Sequence, residues 1–345
     1  MRGYMLAILC LLFVLICVTT IIIVSRASSP LPFGEVVYYD LKSSAYYAIS
    51  AGGAREIIRE TGLRIVSWSP KLGKFLALRE RPENESWMGR LNPQDAYLIS
   101  SDGRTRTLIK SDIGYEASIS PDGSYLAYIL LAQPNNHLVP YGQVNILNLD
   151  TQENIAISKG WKDNLINWSP DSKKLLFTEY NSSGDTVYWV YDIAKRVLYE
   201  HGTDGRHLGW VPDSQWIVFS FYSKTLKIRF DGKSEESWLD YGAEYGYLST
   251  NGKKVAFPSR FNSTAFRFYA VDGTANYLFT DLFQFAEGSY NFRDEELTVL
   301  WSPDSTFIVY PDSFCLVLLK VTEGEEKPAC VTNGAAVPLF WIDGQ

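Results

Sequence analysis

An all-β fold of repeated four-stranded units is predicted by three features of this 345-residue sequence. The first is a recurring pattern: an aromatic or aliphatic residue, Ser, Pro and Asp, then a hydrophobic run. Its clearest copy is Trp168-Ser169-Pro170-Asp171-Ser172, which leads into Leu175-Leu176-Phe177. Related copies stand at Trp68-Ser69-Pro70, Ile119-Ser120-Pro121-Asp122, Trp210-Val211-Pro212-Asp213, Leu248-Ser249-Thr250-Asn251 and Trp301-Ser302-Pro303-Asp304. The second is their spacing. Positions 68, 119, 168, 210, 248, 301 and 341 are separated by 38 to 53 residues, room for four strands and their turns. The third is a split repeat: residues 35–60 lack a first strand, and Phe340-Trp341-Ile342-Asp343-Gly344 begins a repeat that never continues. A β-propeller satisfies all three. Scattered Ser-Pro turns in a sandwich do not, because the flanking strand pattern recurs with the turn.

Each repeat opens on a hairpin. Proline sets φ at the first central turn position, Asp suits the next, and Gly or a small polar residue follows. The residues on either side are β-branched or aromatic, as strands prefer.

Taken in order, residues 5–24 carry no charge and match the ~20 residues that span a bilayer. A cleaved signal peptide has a shorter apolar core, although Ser25-Arg26-Ala27 resembles a cleavage site. A lipoprotein signal wants a small residue before its cysteine, whereas Leu9 and Ile16 precede Cys10 and Cys17. The expectation is an uncleaved signal anchor over 1–27, with the N-terminus inside the cell membrane and the propeller extracytoplasmic. Residues 28–34, with Pro30 and Pro32, form a short stiff linker. The propeller occupies 35–345.

Within it, Val36–Tyr39, Tyr46–Ser50 and Arg55–Ile58 are three strands of a first blade, and Ala336–Trp341 supplies the missing one. Pairing of this C-terminal strand with the N-terminal blade closes the ring and removes exposed edges. Six internal units starting near 63, 114, 163, 206, 244 and 296, with the composite, make seven blades; six with frayed ends is the alternative. Later strands are marked by Asp-Gly hairpins at Asp102-Gly103, Asp231-Gly232 and Asp272-Gly273.

Together these two hairpin types resemble the TolB-type, WD40-like propeller repeat of bacterial envelope proteins, over roughly residues 35–345. The resemblance implies a non-enzymatic interaction platform, or the propeller module that accompanies some serine peptidases. Two departures weaken the turn chemistry: Ser172, Ser214 and Ser305 stand at turn-glycine positions, and Lys71 replaces Asp in the first copy.

Composition narrows the function. At 46% hydrophobic and 14% aromatic the chain buries a large core, while a net charge of −7 argues against nucleic acid as a partner. The three histidines, 137, 201 and 207, show no metal-ligand spacing, and His201 and His207 flank a Gly-Thr-Asp-Gly turn as a solvated loop pair. No Gly-x-Ser-x-Gly elbow occurs; Gly232-Lys233-Ser234-Glu235-Glu236 comes nearest. No catalytic residue, metal or cofactor is expected. Cys315 and Cys330 flank the Glu323–Glu326 turn on adjacent strands, where they sit opposite each other either as a disulfide or as two buried thiols.

Strand alternation puts second-to-third-strand loops on the same face as the connections between blades. The long insertions at 81–90, 133–141 and 281–293 all obey this parity. They carry Trp87, Met88, Arg90, His137, Tyr141, Phe283, Phe285, Tyr290 and Phe292, residue types frequent at binding hot spots. These either capture a partner or fold back over blade edges. Arg64, Asn164, Arg206 and Glu244 each stand four residues before the aligned position and form a ring at one mouth, or a solvated rim. The tether enters from the opposite face, so the decorated rim points away from the membrane. The expected function is a membrane-tethered binding or scaffold module for a protein or glycan partner of the cell envelope. The alternative is a propeller hydrolase or lyase using the central channel.

Overall fold

The chain is an all-β propeller of four-stranded antiparallel sheets. The computed structural model describes residues 31, 34–81, 93–131, 142–158, 166–181, 183–202, 205–221, 223–240, 246–262, 265–272, 275–279, 298–311, 315–321, 329–332 and 334–342. Among the described residues no helix is long and apolar enough to cross a membrane. The anchor expected at 5–24 lies outside them.

Strand pairing gathers the described strands into seven sheets. The first contains β1 (Glu35–Asp40), β2 (Ala45–Ser50) and β3 (Gly53–Ile58). The second holds β4 (Leu63–Ser69), β5 (Lys74–Glu80), β6 (Gln94–Ser100) and β7 (Arg106–Ile113). Next come β8 (Ala117–Ile119), β9 (Tyr125–Leu131), β10 (Gly142–Asn148) and β11 (Asn154–Ala156). In the fourth are β12 (Ile166–Trp168), β13 (Lys174–Tyr180), β14 (Thr186–Asp192) and β15 (Val197–Gly202). The fifth has β16 (Arg206–Trp210), β17 (Trp216–Ser220), β18 (Thr225–Arg229) and β19 (Glu235–Leu239). Then follow β20 (Tyr247–Leu248), β21 (Lys254–Asn262), β22 (Ala265–Asp272) and β23 (Ala275–Phe279). The seventh comprises β24 (Leu300–Trp301), β25 (Phe307–Pro311), β26 (Leu316–Lys320) and β27 (Ala329–Cys330). The last strand, β28 (Ala336–Ile342), returns to the first sheet and pairs with β1, Val36 opposite Trp341 and Val37 opposite Phe340.

The second strand of each sheet shows why single units are not stable alone. Phe75-Leu76-Ala77-Leu78, Leu175-Leu176-Phe177 and Ile217-Val218-Phe219 are buried throughout, so both faces of each strand are covered by neighbouring sheets. Seven apolar clusters lie one at each step between successive sheets. The step from seventh to first brings Val309 and Leu316 against Val36, Tyr38 and Ala336, with Leu31 from before β1. At the corner before β1, Gly34 has φ +68°, and a Cβ there would lie 2.3 Å from the Ile342 carbonyl oxygen.

The recurring hairpins share one hydrogen-bond plan. In the fourth sheet Ser169 Oγ donates to Asp171 Oδ1 at 2.6 Å and accepts from the Lys174 amide at 3.0 Å. Ser120, Ser249 and Ser302 repeat both bonds. Burial opposes charge on Asp122, Asp171 and Asp304, yet bonds from these serines and nearby amides hold their carboxyls below the ordinary value.

The turn serines correct the sequence reading. Ser172, Ser214 and Ser305 adopt φ of 58–61°, but their turns are not weakened. Each hydroxyl is buried and accepts a backbone N–H from the preceding sheet: Asp122 at 3.0 Å, Asp171 at 3.0 Å and Asn251 at 2.9 Å. Serine at these positions ties one sheet to the next, a bond glycine cannot make. Where Gly252 stands instead, Pro212 of the neighbouring turn fills the space, 2.6 Å from where a Cβ would be.

Candidate binding cavity at the mouth

Two bulges in innermost strands shape the face opposite these turns. Between Ile65 and Ser67 the β4–β5 register slips, leaving Val66 as the extra residue. Between Val37 and Tyr38 the β1–β28 register slips likewise, leaving Leu339. A bulge bends its strand and re-aims side chains. Val66 and Leu339 both line a cavity of about 750 Å³ between the first and second sheets and the start of β8.

Leu63, Ile65, Leu78, Ala117 and Val337 extend the apolar wall. Tyr39 and Tyr46 stand on one side with ring centroids 4.9 Å apart. Tyr46 donates to the Leu63 carbonyl at 3.4 Å, and burial pushes its phenol above the ordinary value, so it is a neutral hydroxyl at physiological pH. Arg64, Glu80, Gln94 and Glu116 bring charged and amide groups to the same wall. Arg64 donates to the Tyr115 carbonyl and so bridges the second sheet to the connection before the third. An apolar concavity with a few convergent polar groups is suited to holding a ligand or a partner's side chain.

The nine rim residues Trp87, Met88, Arg90, His137, Tyr141, Phe283, Phe285, Tyr290 and Phe292 lie outside the described residues. The strands flanking their loops are described. Residues 82–92 connect second to third strand, with the Arg81 amide bonded to the Pro93 carbonyl at 3.2 Å beside Glu80 and Gln94 of the cavity wall. Residues 132–141 leave from Leu131 and return at Gly142, which pair with each other. Of the four residues expected to ring the mouth, Arg64 is in the cavity wall and Arg206 opens β16; Asn164 and Glu244 lie outside the described residues.

His201 and His207 are not a solvated loop pair. His201 on β15 of the fourth sheet and His207 on β16 of the fifth both pack against Phe219 of β17, with ring centroids 6.4 and 6.1 Å from it. His201 is buried, its Nε2 2.9 Å from the Phe230 carbonyl oxygen, and burial lowers its pKa. His207 is half-buried by area, yet its Nε2 meets neither solvent nor a hydrogen-bond partner, and burial lowers its pKa to about 4. Each histidine sits on a strand, so packing between the sheets, not solvent, claims both rings. Among the described residues no group of three His, Cys, Asp or Glu is close enough to hold a metal ion.

Cys315 and Cys330 form a disulfide with Cα atoms 5.7 Å apart. They are not directly opposite: Cys330 pairs with Val317, so the bridge runs diagonally to a residue just before β26. The cavity residues Tyr39, Tyr46, Val66 and Leu339 were legible only as strand formers. The one signal for two of them is an aliphatic residue two places before Trp68 and Trp341.

No protein-family model matches the sequence, and no curated protein matches it. Solved structures do. Oligogalacturonate lyase from Vibrio parahaemolyticus matches at 11% identity over 84% of this chain and 87% of that one, with a TM-score of 0.60. The β-propeller domain of the Trilobed protease from Pyrococcus furiosus matches at 14% identity over 78% and 84%, with a TM-score of 0.53. TolB from Acinetobacter baumannii matches at 15% identity with a TM-score of 0.47, over 70% of this chain and 61% of that one. The likenesses to the lyase and to the protease domain define the class as a β-propeller. At such identities they establish the fold alone.

Proposed function

We propose that the protein is a membrane-tethered, extracytoplasmic binding module whose seven sheets are the blades of one closed ring. Its partner is a protein or glycan of the cell envelope. The observation that carries this reading is the cavity, which opens on the face where the 82–92 and 132–141 loops are rooted. The pairing of β28 with β1 and the apolar cluster at every step between sheets support the sevenfold closure. The uncharged run 5–24 supports a membrane tether, and the Cys315–Cys330 disulfide supports the oxidising side of it.

Two variants test the reading by affinity capture of partners from the protein's own membranes. Ala117→Trp fills the cavity, and the combined Trp87→Ala, Tyr141→Ala and Phe285→Ala change strips the rim. Each is expected to abolish capture, the rim variant at an unchanged melting temperature and Ala117→Trp while the protein remains folded, since Ala117 also belongs to the buried cluster between the second and third sheets. Capture that survives both contradicts the proposal.

Enzymatic use of the channel stands second, favoured by Glu80, Glu116 and Arg64 in one cavity wall, which have the chemistry for proton transfer and charge stabilisation. Turnover of a glycosidic, lactone or peptide substrate by the purified protein, lost in Glu80→Gln or Glu116→Gln, replaces the binding reading.

A further inference from the structure

The strand that closes the ring follows the least-paired outer strand of the seventh sheet. β27 has two residues, with Cys330 opposite Val317 and Ala329 opposite Leu318. Between it and β28 the chain is held by few bonds. The Val331 amide donates to the Leu316 carbonyl at 2.8 Å, and Thr332 Oγ1 accepts from the Leu316 amide at 2.8 Å. The same hydroxyl donates to the Gly334 carbonyl at 2.9 Å. The first two converge on Leu316, next to Cys315, and from the first sheet the Leu41 amide donates to the Ala335 carbonyl at 3.3 Å. Val331 and Ala336 are buried in the cluster that joins the seventh sheet to the first.

Covalent support of this segment comes from the disulfide alone, and its two ends differ in access. Cys315 is buried, whereas Cys330 is exposed. A reductant therefore reaches one end only.

We infer that the Cys315–Cys330 disulfide is a redox-sensitive latch on the ring-closing strand β28, opened by a dithiol. A thiolate of the dithiol attacks Cys330 Sγ, and the S–S bond breaks with its electron pair leaving on Cys315 Sγ, which takes up a proton. The second thiol of the reductant then attacks the mixed disulfide. Cys330 leaves as a thiol and the reductant as its cyclic disulfide, a balanced transfer of two electrons and two protons. Without the bridge, among the described residues the seventh sheet holds the chain that enters β28 by the two β26–β27 pairs and the Leu316 bonds. Local opening of β28 becomes easier than opening of sheets remote from it. Val337 and Leu339 of the same strand wall the cavity, so the latch also governs its shape.

Amide hydrogen exchange on the full chain tests this, before and after dithiothreitol treatment with reduction confirmed by thiol alkylation. Amides of Val337 and Leu339 are expected to exchange roughly 10- to 100-fold faster after reduction, while those of β13 and β14 keep their rates. The Cys330→Ser variant should show the fast β28 exchange with no reductant present. Unchanged β28 protection in the fully reduced protein overturns the latch. So does an equal loss of protection in every sheet, which makes the bridge a general staple.

Discussion

His207 illustrates what a single residue contributes. Its ring packs on Phe219, its backbone amide donates to the Tyr188 hydroxyl at 3.4 Å, and its Nε2 is cut off from water. Burial disfavours the cation, so the folded protein keeps this ring neutral down to about pH 4, whereas the unfolded chain protonates it near 6.5. Between those values the unfolded state binds the extra proton. Stability is therefore complete above pH 6.5 and declines as pH falls toward 4, by on the order of 2–3 kcal/mol. His201, lowered by burial in the same way, adds to the slope. The turn carboxylates act in a separate, more acidic window, because their pKa values lie below the ordinary 3.8. Urea unfolding measured from pH 7 to pH 4 should show this decline, and His207→Phe should make it shallower. An equally steep decline in His207→Phe would remove His207 as its cause.

At the scale of elements, the hairpin turn does two jobs. It reverses the chain within a sheet, and where serine holds the left-handed position it also fastens that sheet to the one before. Ser172→Ala keeps the unfavourable φ of 61° and leaves the Asp122 amide without its acceptor. The expected loss is about 1–2 kcal/mol in urea unfolding. Ser172→Gly loses the same bond but relieves ~1 kcal/mol of left-handed strain, so it should destabilise less. The reverse order would show that the hydroxyl is not a fastener. The turns and strands were legible in the sequence because Pro, Asp and the β-branched runs act locally. The serine's role was not, because its partner lies 50 residues away in another sheet. The burial of His201 and His207 escaped for the same reason: the neighbouring residues make a turn, but the packing against Phe219 that buries them comes from the next strand. Of the cavity, Arg64 was legible as a residue at a mouth. The bulges that bring in Val66 and Leu339 depend on register, and alternation alone does not fix where it slips.

For the whole molecule, one strand decides several properties together. β28 covers the edge of β1, completes the cluster between the seventh sheet and the first, and supplies Val337 and Leu339 to the cavity. Its far end meets Gly34, on the face opposite the cavity, so if the proposed tether precedes Gly34, the proposed binding face points away from the proposed membrane. A propeller lacking this strand would expose a paired edge and lose a cavity wall. The most direct test is therefore a cross-link across that pairing, at Glu35 and Ile342, which stand opposite each other at its end. In the Glu35→Cys, Ile342→Cys double variant, mild oxidation followed by peptide mapping should find residues 35 and 342 joined within one molecule. Thiols at 35 and 342 that remain free in the folded protein, or that join only between molecules, would contradict the closure on which the cavity, the latch and the outward-facing rim depend.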